Sequence, residues 1–312
     1  MKLATTFILT AFTLLSSPST HAGPLAERQL ATLSQDEAGL GFRDINSFLP
    51  YSLFAKTGYC GPAKTQNWNC GTWCEQLPGF TTVASGGNGG AIQNWYVGYY
   101  PTFSSVVVGY QGTNLSNIEA ILTDLNFFPR TPSQSLFPGL PSSAKVHGGF
   151  LDAYSKTQAA VFAGVQQALT TFGTNKVLLT GHSLGGALAT ISAASMKLRL
   201  GPDYSFKVVS YSCPRIGDRN WVDWVDSNLE VTRVTNKACS KDPVPILPGR
   251  SLGFVGSQDE IHIRASDEAW VVCPGNDSVA AGCTIADVPN ILVGNFTQHI
   301  GPYNGILMNG CT

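Results

Sequence analysis

Charged residues are scarce in this sequence. Asp, Glu, Lys and Arg make up 12% of its 312 residues, about half of the roughly 25% that is usual in soluble domains. The 19 basic and 20 acidic side chains nearly cancel, and no basic cluster is present, so the electrostatic footprint of a nucleic-acid-binding protein is missing. Hydrophobic residues, at 43% of the chain, supply ample material for a core and exclude a disordered protein.

The sequence also lacks an apolar run of the ~18 residues that a membrane-spanning helix needs. Its first residues instead have the pattern of a secretory signal peptide: Lys2, an apolar stretch from Phe7 to Leu15, and small residues up to Ala22. Cleavage after Ala22 would export residues 23–312, and Gly23 to Gln35 would then be either a propeptide or a first helix. No repeat or linker divides the remainder, so we expect one secreted, extracellular domain.

The CxxC pair of a typical zinc site is missing as well, although the chain has eight cysteines. All eight follow the leader, and an even number in an oxidising compartment predicts disulfides rather than a metal site. Spacing alone leaves their pairing open. Three Asn-x-Ser/Thr sites, at Asn114, Asn276 and Asn295, are typical of a glycosylated secreted protein. The cysteines are Cys60, Cys70, Cys74, Cys213, Cys239, Cys273, Cys283 and Cys311.

Strand-like and helix-like patterns alternate from Asp152 onward, whereas Tyr59 to Asn88 resembles loops rich in Gly, Asn and Cys. Such alternation predicts a mainly parallel sheet with helices on both faces. The predicted strands run from Asn94 to Tyr100, Ser104 to Tyr110, Lys176 to Thr180, Phe206 to Tyr211 and Val231 to Val234. The predicted helices run from Ala153 to Phe172, Ala187 to Leu198 and Asn220 to Leu229.

The pattern Gly181-His182-Ser183-Leu184-Gly185 stands where a predicted strand meets a predicted helix. This G-x-S-x-G arrangement is typical of a nucleophile elbow, a sharp turn that exposes the serine while the glycines relieve crowding around it. The N-terminus of the following helix also favours negative charge developing at the serine. The alternative, that Ser183 only caps that helix, does not account for both matching flanks. We therefore predict that Ser183 is a catalytic nucleophile.

A nucleophilic serine needs a base and an orienting acid, and after such an elbow the acid precedes the histidine in the chain. Of the five histidines, only His262 and His299 follow the elbow. His262 lies in an alternating run typical of an edge strand, whereas His299 lies in a loop-like stretch, where catalytic residues concentrate. Asp242 follows the last clear parallel strand, in a turn stiffened by prolines. The sequence thus predicts His299 as the base and Asp242 as the acid.

Three blocks of the sequence carry a family resemblance. They are Gly181-His182-Ser183-Leu184-Gly185-Gly186-Ala187-Leu188-Ala189, Ser210-Tyr211-Ser212-Cys213-Pro214-Arg215-Ile216-Gly217 and Asp242-Pro243-Val244-Pro245. Together they resemble the class 3, filamentous-fungal type triacylglycerol lipases, and the stretches Val234 to Phe254 and His299 to Tyr303 are similar to basidiomycete members. The resemblance, from about Tyr59 to Cys311, implies an α/β-hydrolase fold with a mainly parallel central sheet covered by helices, a short helical lid, and the triad Ser183, Asp242 and His299.

The resemblance also implies how an oxyanion would be stabilised. The strand end from Val108 to Thr113 matches the family segment that supplies one donor, so the N–H of Thr113 would act with that of Leu184, the residue after the nucleophile. Asn114 to Asn126 matches the lid, which would be either a mobile cover that binds lipid when open or a fixed helix packed on the core. Its apolar residues recur at spacings of three and four along one helix face: Leu115, Ile118, Ile121, Leu122 and Leu125.

Matches to the family imply a disulfide between Cys60 and Cys311, which would tie the two ends of the mature chain together. Closeness in sequence suggests Cys70 with Cys74 and Cys273 with Cys283. Cys213 and Cys239 depart from the family pattern. Because both end neighbouring predicted strands, we expect them to pair with each other.

These features predict a secreted serine ester hydrolase that cleaves acylglycerols at a lipid–water interface through an acyl-Ser183 intermediate. The apolar lid face favours this over a feruloyl-type or general carboxylesterase acting on cell-wall or other aryl or alkyl esters. An intact triad disfavours the third reading, an inactive secreted lipid-binding protein. The chemistry requires no cofactor or metal, and we expect a monomer with an ester substrate, no nucleic-acid partner and no transmembrane segment.

Overall fold

The computed structural model describes residue 41 and residues 43–113, 128–236, 241–264 and 266–311. Several predictions therefore fall outside the described residues: the leader at 1–22, the stretch Gly23 to Gln35, the lid at Asn114 to Asn126 with its apolar residues, and Cys239. Among the helices that are described, none is long and apolar enough to cross a membrane.

An eight-stranded sheet forms the centre of the described structure, and a two-stranded pair lies apart from it. The strands, in chain order, are β1 Thr81–Gly86, β2 Trp95–Tyr100, β3 Ser105–Tyr110, β4 Pro129–Arg130, β5 Val146–His147, β6 Lys176–His182, β7 Ser205–Tyr211, β8 Glu230–Asn236, β9 Glu260–Ile263 and β10 Trp270–Cys273. The large sheet has the order β1-β2-β3-β6-β7-β8-β9-β10. Neighbours from β3 to β9 are parallel, and antiparallel pairs form both edges.

Helices surround this sheet in the described part of the chain. They are α1 Leu49–Thr57, α2 Pro62–Gln66, α3 Thr72–Glu75, α4 Gly148–Ser155, α5 Gln158–Phe172, α6 Leu184–Leu200, α7 Arg219–Asn228 and α8 Thr284–Asp287. Short 3-10 helices occur at Ile45–Phe48, Pro101–Phe103, Val244–Ile246, Arg250–Leu252, Ile291–Val293 and Phe296–Ile300.

The parallel strands are buried on both faces. In β3, Val106 and Val108 belong to one apolar cluster and Val107 to the other, as the two-residue period of a strand requires. The first cluster includes residues of α4 to α7, such as Trp221, and the second includes Phe54 of α1 and the C-terminal segment. Burial on both faces explains why these strands are continuous apolar runs in the sequence.

The predicted mainly parallel sheet covered by helices is confirmed, and three local predictions are corrected. The helix predicted from Ala153 to Phe172 is two helices, α4 and α5, because the chain turns at Thr157, whose hydroxyl donates to the Tyr154 carbonyl and competes with helical bonding. The stretch predicted as loops contains α2, α3 and β1. The strand that carries His262 is not an edge strand, because β10 pairs along its outer side.

Three disulfides occur: Cys60–Cys311, Cys70–Cys74 and Cys273–Cys283. They are the pairs that the resemblance and closeness in sequence led us to expect. The predicted pair of Cys213 with Cys239 is wrong, because Cys213 is a free, buried thiol. Cys213 faces the core under α6: a Cβ built on Gly186 would lie 3.1 Å from the Cβ of Cys213. Burial raises the pKa of the Cys213 thiol to about 12.

We expect the two disulfides near α1 to contribute very differently to the free energy of unfolding. Cys60 and Cys311 are 251 residues apart, whereas Cys70 and Cys74 are 4 apart, and a longer closed loop removes more entropy from the unfolded chain. Replacing Cys60 and Cys311 by Ala should lower the free energy of unfolding by about 2–5 kcal/mol. The matched Cys70→Ala, Cys74→Ala variant should lose clearly less in the same urea titration. Equal losses in the two variants would contradict this account.

Candidate active site

Ser183 occupies the turn between β6 and α6. Its φ of 57° and ψ of −128° lie in a region that residues other than glycine rarely adopt. The turn is held on both sides by backbone bonds: Ser183 N–H donates to Tyr211 O of β7 at 2.8 Å, and Gly186 N–H donates to Ser183 O at 2.9 Å. This strand–turn–helix geometry is that of a nucleophile elbow.

Two glycines allow the turn to form. A Cβ on Gly181 would lie 2.4 Å from the carbonyl carbon of Gly185, and a Cβ on Gly185 would lie 2.4 Å from the carbonyl oxygen of Tyr110. Both distances are far below a van der Waals contact, so the backbones of β3, β6 and α6 meet here only because neither position carries a side chain. Close backbone approach, rather than an unusual φ, accounts for these glycines.

The segment after β3 packs directly against the elbow. A Cβ on Gly112 would lie 3.2 Å from the Ser183 Cβ and 2.5 Å from the His182 carbonyl oxygen. Thr113 follows in a buried position. Leu184 is the first residue of α6, where the N–H groups of the first turn have no intrahelical acceptor. The two residues predicted to donate to an oxyanion therefore belong to adjoining segments on either side of Ser183.

Asp242 lies beyond the end of β8 and is buried. Its Oδ1 accepts from the Val244 N–H at 2.9 Å, and its Oδ2 accepts from the Ser212 hydroxyl. The Tyr303 hydroxyl contacts the same Ser212 oxygen, and because the Ser212 proton is given to Asp242, Tyr303 must be the donor. Burial, together with the negative charge of Asp242, raises the pKa of Tyr303 well above its usual value, so this donor keeps its proton.

His299 lies in the 3-10 helix Phe296–Ile300 and is fully buried. Its Nδ1 is 3.1 Å from each carboxylate oxygen of Asp242, which assigns the Nδ1 proton to that contact. Among the described residues its Nε2 has no hydrogen-bond partner. A buried nitrogen left in this state, close to the elbow, can receive a proton from a serine hydroxyl, and in unliganded sites such a bond is often not yet formed.

The structure thus brings Ser183, Asp242 and His299 to the carboxyl edge of the parallel strands. Three segments meet there because β3, β6, β7 and β8 pair in register, with Tyr110 opposite Gly181 and His182 opposite Tyr211. Ser212 and Tyr303 were missed as supporting residues, although both belong to the stretches that carry the family resemblance. Nothing in their spacing indicated that the Ser212 hydroxyl would reach the Asp242 carboxylate or that Tyr303 would donate to Ser212.

Two of the other described histidines, His147 and His262, have different surroundings. His262 is buried with its Nδ1 2.8 Å from Thr235 Oγ1 and its Nε2 3.2 Å from Asp287 Oδ2. His147 caps α4 and stacks on Phe150 at 3.8 Å, and burial lowers its pKa to about 4. Within the described part of the chain, neither ring hydrogen-bonds to Ser183 or Asp242.

Gly185 should be intolerant of even one added carbon. Gly185→Ala would force its Cβ against the Tyr110 carbonyl, so we expect the free energy of unfolding to fall by about 2 kcal/mol or more and esterolytic activity to be lost. Gly61→Ala is the matched control, because a Cβ there would meet nothing within 4 Å and its φ of −61° is ordinary. Thermal and urea unfolding of both variants give the comparison. A stable, active Gly185→Ala protein would refute the steric argument.

The sequence is similar to those of known lipases. The family model of class 3 lipases matches residues 107–252. A secreted mono- and diacylglycerol lipase of Malassezia globosa, MDL2, is 27% identical over 286 residues, which cover 90% of this chain and 88% of the relative. A lipase of Rhizopus niveus is 29% identical over 242 residues, covering 73% of this chain and 57% of the relative.

Solved structures show the same architecture. Lipase II from Rhizopus niveus superposes with a TM-score of 0.73 at 26% identity, covering 86% of this chain and 97% of that one. A triacylglycerol lipase described as having a serine protease triad at its catalytic centre superposes with a TM-score of 0.73 at 24% identity, covering 88% of this chain. The elbow, the α/β sheet and these similarities point the same way: residues 107–252 match the class 3 lipase family model, and the fold is that of the fungal lipases.

Proposed function

We propose that this protein is a secreted serine hydrolase that cleaves the ester bonds of acylglycerols. The observation that carries the proposal is the buried His299–Asp242 pair beside the elbow of Ser183, with the Nε2 of His299 left without a partner among the described residues. The related Malassezia and Rhizopus proteins are lipases by name. Export is supported by the leader pattern at residues 1–22 and by the description of MDL2 as secreted.

The residues have defined roles in this mechanism. Nε2 of His299 takes the Ser183 proton as the hydroxyl oxygen attacks the ester carbonyl, and the imidazolium then protonates the leaving alcohol. Asp242 orients the ring through Nδ1 and stabilises its positive charge. The N–H groups of Thr113 and Leu184 bind the negative oxygen of the tetrahedral intermediate, a contact whose loss costs about 2.7–4 kcal/mol in activation free energy. Water then attacks the acyl-Ser183 carbonyl while His299 takes its proton, and the imidazolium returns that proton to the Ser183 oxygen as the carboxylic acid leaves.

Replacing Ser183 tests the reaction class. Ser183→Ala should abolish turnover of p-nitrophenyl butyrate, because no acyl intermediate can form, while circular dichroism and the unfolding midpoint stay near those of the parent protein. A serine-directed phosphonate should label the parent protein at Ser183 and leave the variant unlabelled. Turnover that persists in the folded variant would refute the proposed mechanism, and an inert parent protein would instead favour a lipid-binding role.

The substrate class is tested by comparing esters. We expect faster hydrolysis of tributyrin emulsion and of mono- and diacylglycerols than of methyl ferulate, because the apolar lid sequence and the relatives named as acylglycerol lipases favour uncharged aliphatic esters. Initial rates are measured for each ester at equal active-site concentration, counted by phosphonate titration. A strong preference for ferulate would favour the feruloyl esterase alternative.

An exposed apolar tip supports action at a lipid surface. In the 3-10 helix Ile291–Val293, Leu292 is 91% exposed and Ile291 is 39% exposed. The tip is held by the Asn290 side chain, which accepts from Leu292 N–H at 3.0 Å, and by Gly294 N–H, which donates to Ile291 O at 3.0 Å. A Cβ on Gly294 would lie 2.6 Å from the Pro243 Cβ, so the tip stands directly beside the turn that carries Asp242.

Leu292 should matter for emulsified substrate and not for dissolved substrate. Burying a leucine in an apolar phase is worth about 1.5–3 kcal/mol, so Leu292→Asp should lower the rate on tributyrin emulsion about tenfold or more and leave the rate on dissolved p-nitrophenyl acetate unchanged. Val279→Asp is the matched control, since Val279 is 67% exposed in the loop closed by Cys273–Cys283. Equal losses on emulsion in both variants would argue against a specific contact by Leu292.

A further inference from the structure

We infer that Tyr59 and His182 form a hydrogen-bonded pair that positions the base His299 relative to the oxyanion segment. The inference rests on the function proposed above and deepens it. Neither residue is placed to touch the reacting atoms, so both act as positioning residues. The sequence suggested no such role: His182 was only the neighbour of the nucleophile, and Tyr59 only marked the start of a cysteine-rich stretch.

Three contacts join three separate segments of the site. The Tyr59 hydroxyl is 2.6 Å from His182 Nδ1, and His182 Nε2 is 2.7 Å from the carbonyl oxygen of His299. The Gly112 backbone lies directly against the Tyr59 hydroxyl, since a Cβ on Gly112 would be 2.4 Å from its oxygen. The chain of contacts therefore runs from the oxyanion segment, through the end of α1 and the elbow, to the backbone of the base.

The position of each proton in this chain follows from its ends. A carbonyl oxygen can only accept, so His182 Nε2 must carry a proton and donate to His299. A neutral imidazole has one N–H, so its Nδ1 accepts and the Tyr59 hydroxyl donates. With His182 neutral, this arrangement of protons satisfies both hydrogen bonds, whereas a protonated His182 could not accept from the Tyr59 hydroxyl.

The surroundings favour that neutral state. Tyr59 and His182 are both buried, and burial, followed by the nearby His299, lowers the pKa of His182 well below its usual value. Burial raises the pKa of Tyr59. Both groups therefore keep the protonation that the hydrogen bonds need across the neutral pH range.

A neutral His182 matters because its ring centre is 4.3 Å from that of His299. His299 becomes an imidazolium during acylation, and a second positive ring at this distance would oppose it. His182 instead hydrogen-bonds to the backbone carbonyl of His299 and not to its imidazole nitrogens. His299 is thus held at two points, its Nδ1 by Asp242 and its carbonyl by His182, while Nε2 stays available for the proton transfer.

Steric contacts make the coupling rigid. A Cβ on Gly112 would lie 2.4 Å from the Tyr59 hydroxyl oxygen and 2.5 Å from the His182 carbonyl oxygen. The oxyanion segment, the tyrosine and the elbow therefore touch one another without space for relaxation. A small displacement of reacting groups can cost about 100-fold in rate, so the hydroxyl of Tyr59 should influence turnover although it does not meet the substrate.

The test compares two tyrosines that differ in their contacts. Tyr59→Phe removes the hydroxyl that faces His182 and Gly112. Tyr96→Phe removes an equally buried hydroxyl, which donates to the Phe54 carbonyl of α1 at 2.6 Å, outside the chain of contacts. The readouts are kcat and KM for dissolved p-nitrophenyl butyrate, with active sites counted by phosphonate titration so that any misfolded fraction is excluded.

We expect Tyr59→Phe to lower kcat per titrated site about 10- to 100-fold, with KM changed by less than about twofold, and Tyr96→Phe to leave both near the parent values. His182→Gln, whose amide can still donate to the His299 carbonyl, should recover much of the rate lost in His182→Ala. A kcat for Tyr59→Phe within twofold of the parent, or an equal loss of kcat in Tyr96→Phe, would overturn the inference. If Ser183→Ala is inactive in the same assay, the proposed function stands in either case. Turnover by Ser183→Ala would instead overturn the proposed function.

Discussion

The close approach of three backbones around Ser183 is the constraint on which the rest of the site depends. Tyr110 at the end of β3, Gly181 at the end of β6 and Gly185 in the first turn of α6 meet at distances that exclude any side-chain carbon. This contact fixes the positive φ of Ser183 and aligns the segment that carries Thr113 beside it. The strain of the elbow persists because the surrounding parallel strands, buried on both faces, offer the chain no other path.

The polar groups around this contact form a nearly complete hydrogen-bond network in a buried region. A carboxylate away from water is costly unless it is bonded, and Asp242 accepts from Ser212, from the Val244 N–H and from His299. Behind it, Tyr303 donates to Ser212. The buried Nε2 of His299 has no hydrogen-bond partner among the described residues, and in the proposed mechanism it is the atom that takes the Ser183 proton.

The two ends of the described chain hold this network together. The Lys56 ammonium in α1 donates to the carbonyl oxygens of Leu307 at 2.8 Å and Asn309 at 3.1 Å. Cys60, which follows α1, forms a disulfide with Cys311, which follows Asn309. Tyr59 lies between these two attachments. The same connection that stabilises the fold therefore fixes the tyrosine that reaches His182, so the N-terminal helix and the C-terminal segment contribute to the site as one unit.

The sequence by itself determined the alternation of strands and helices, the elbow, and the candidates Ser183, Asp242 and His299, because these depend on local periodicity, on glycine spacing and on the order of residues along the chain. It could not reveal that Cys213 faces the core, that β10 covers β9, or that Tyr59, Ser212 and Tyr303 converge on the site. Those facts depend on which distant segments pack together. Hydrogen bonds between residues 123 apart, as for Tyr59 and His182, leave no periodic trace in a sequence and are decided only when the sheet and its helices assemble.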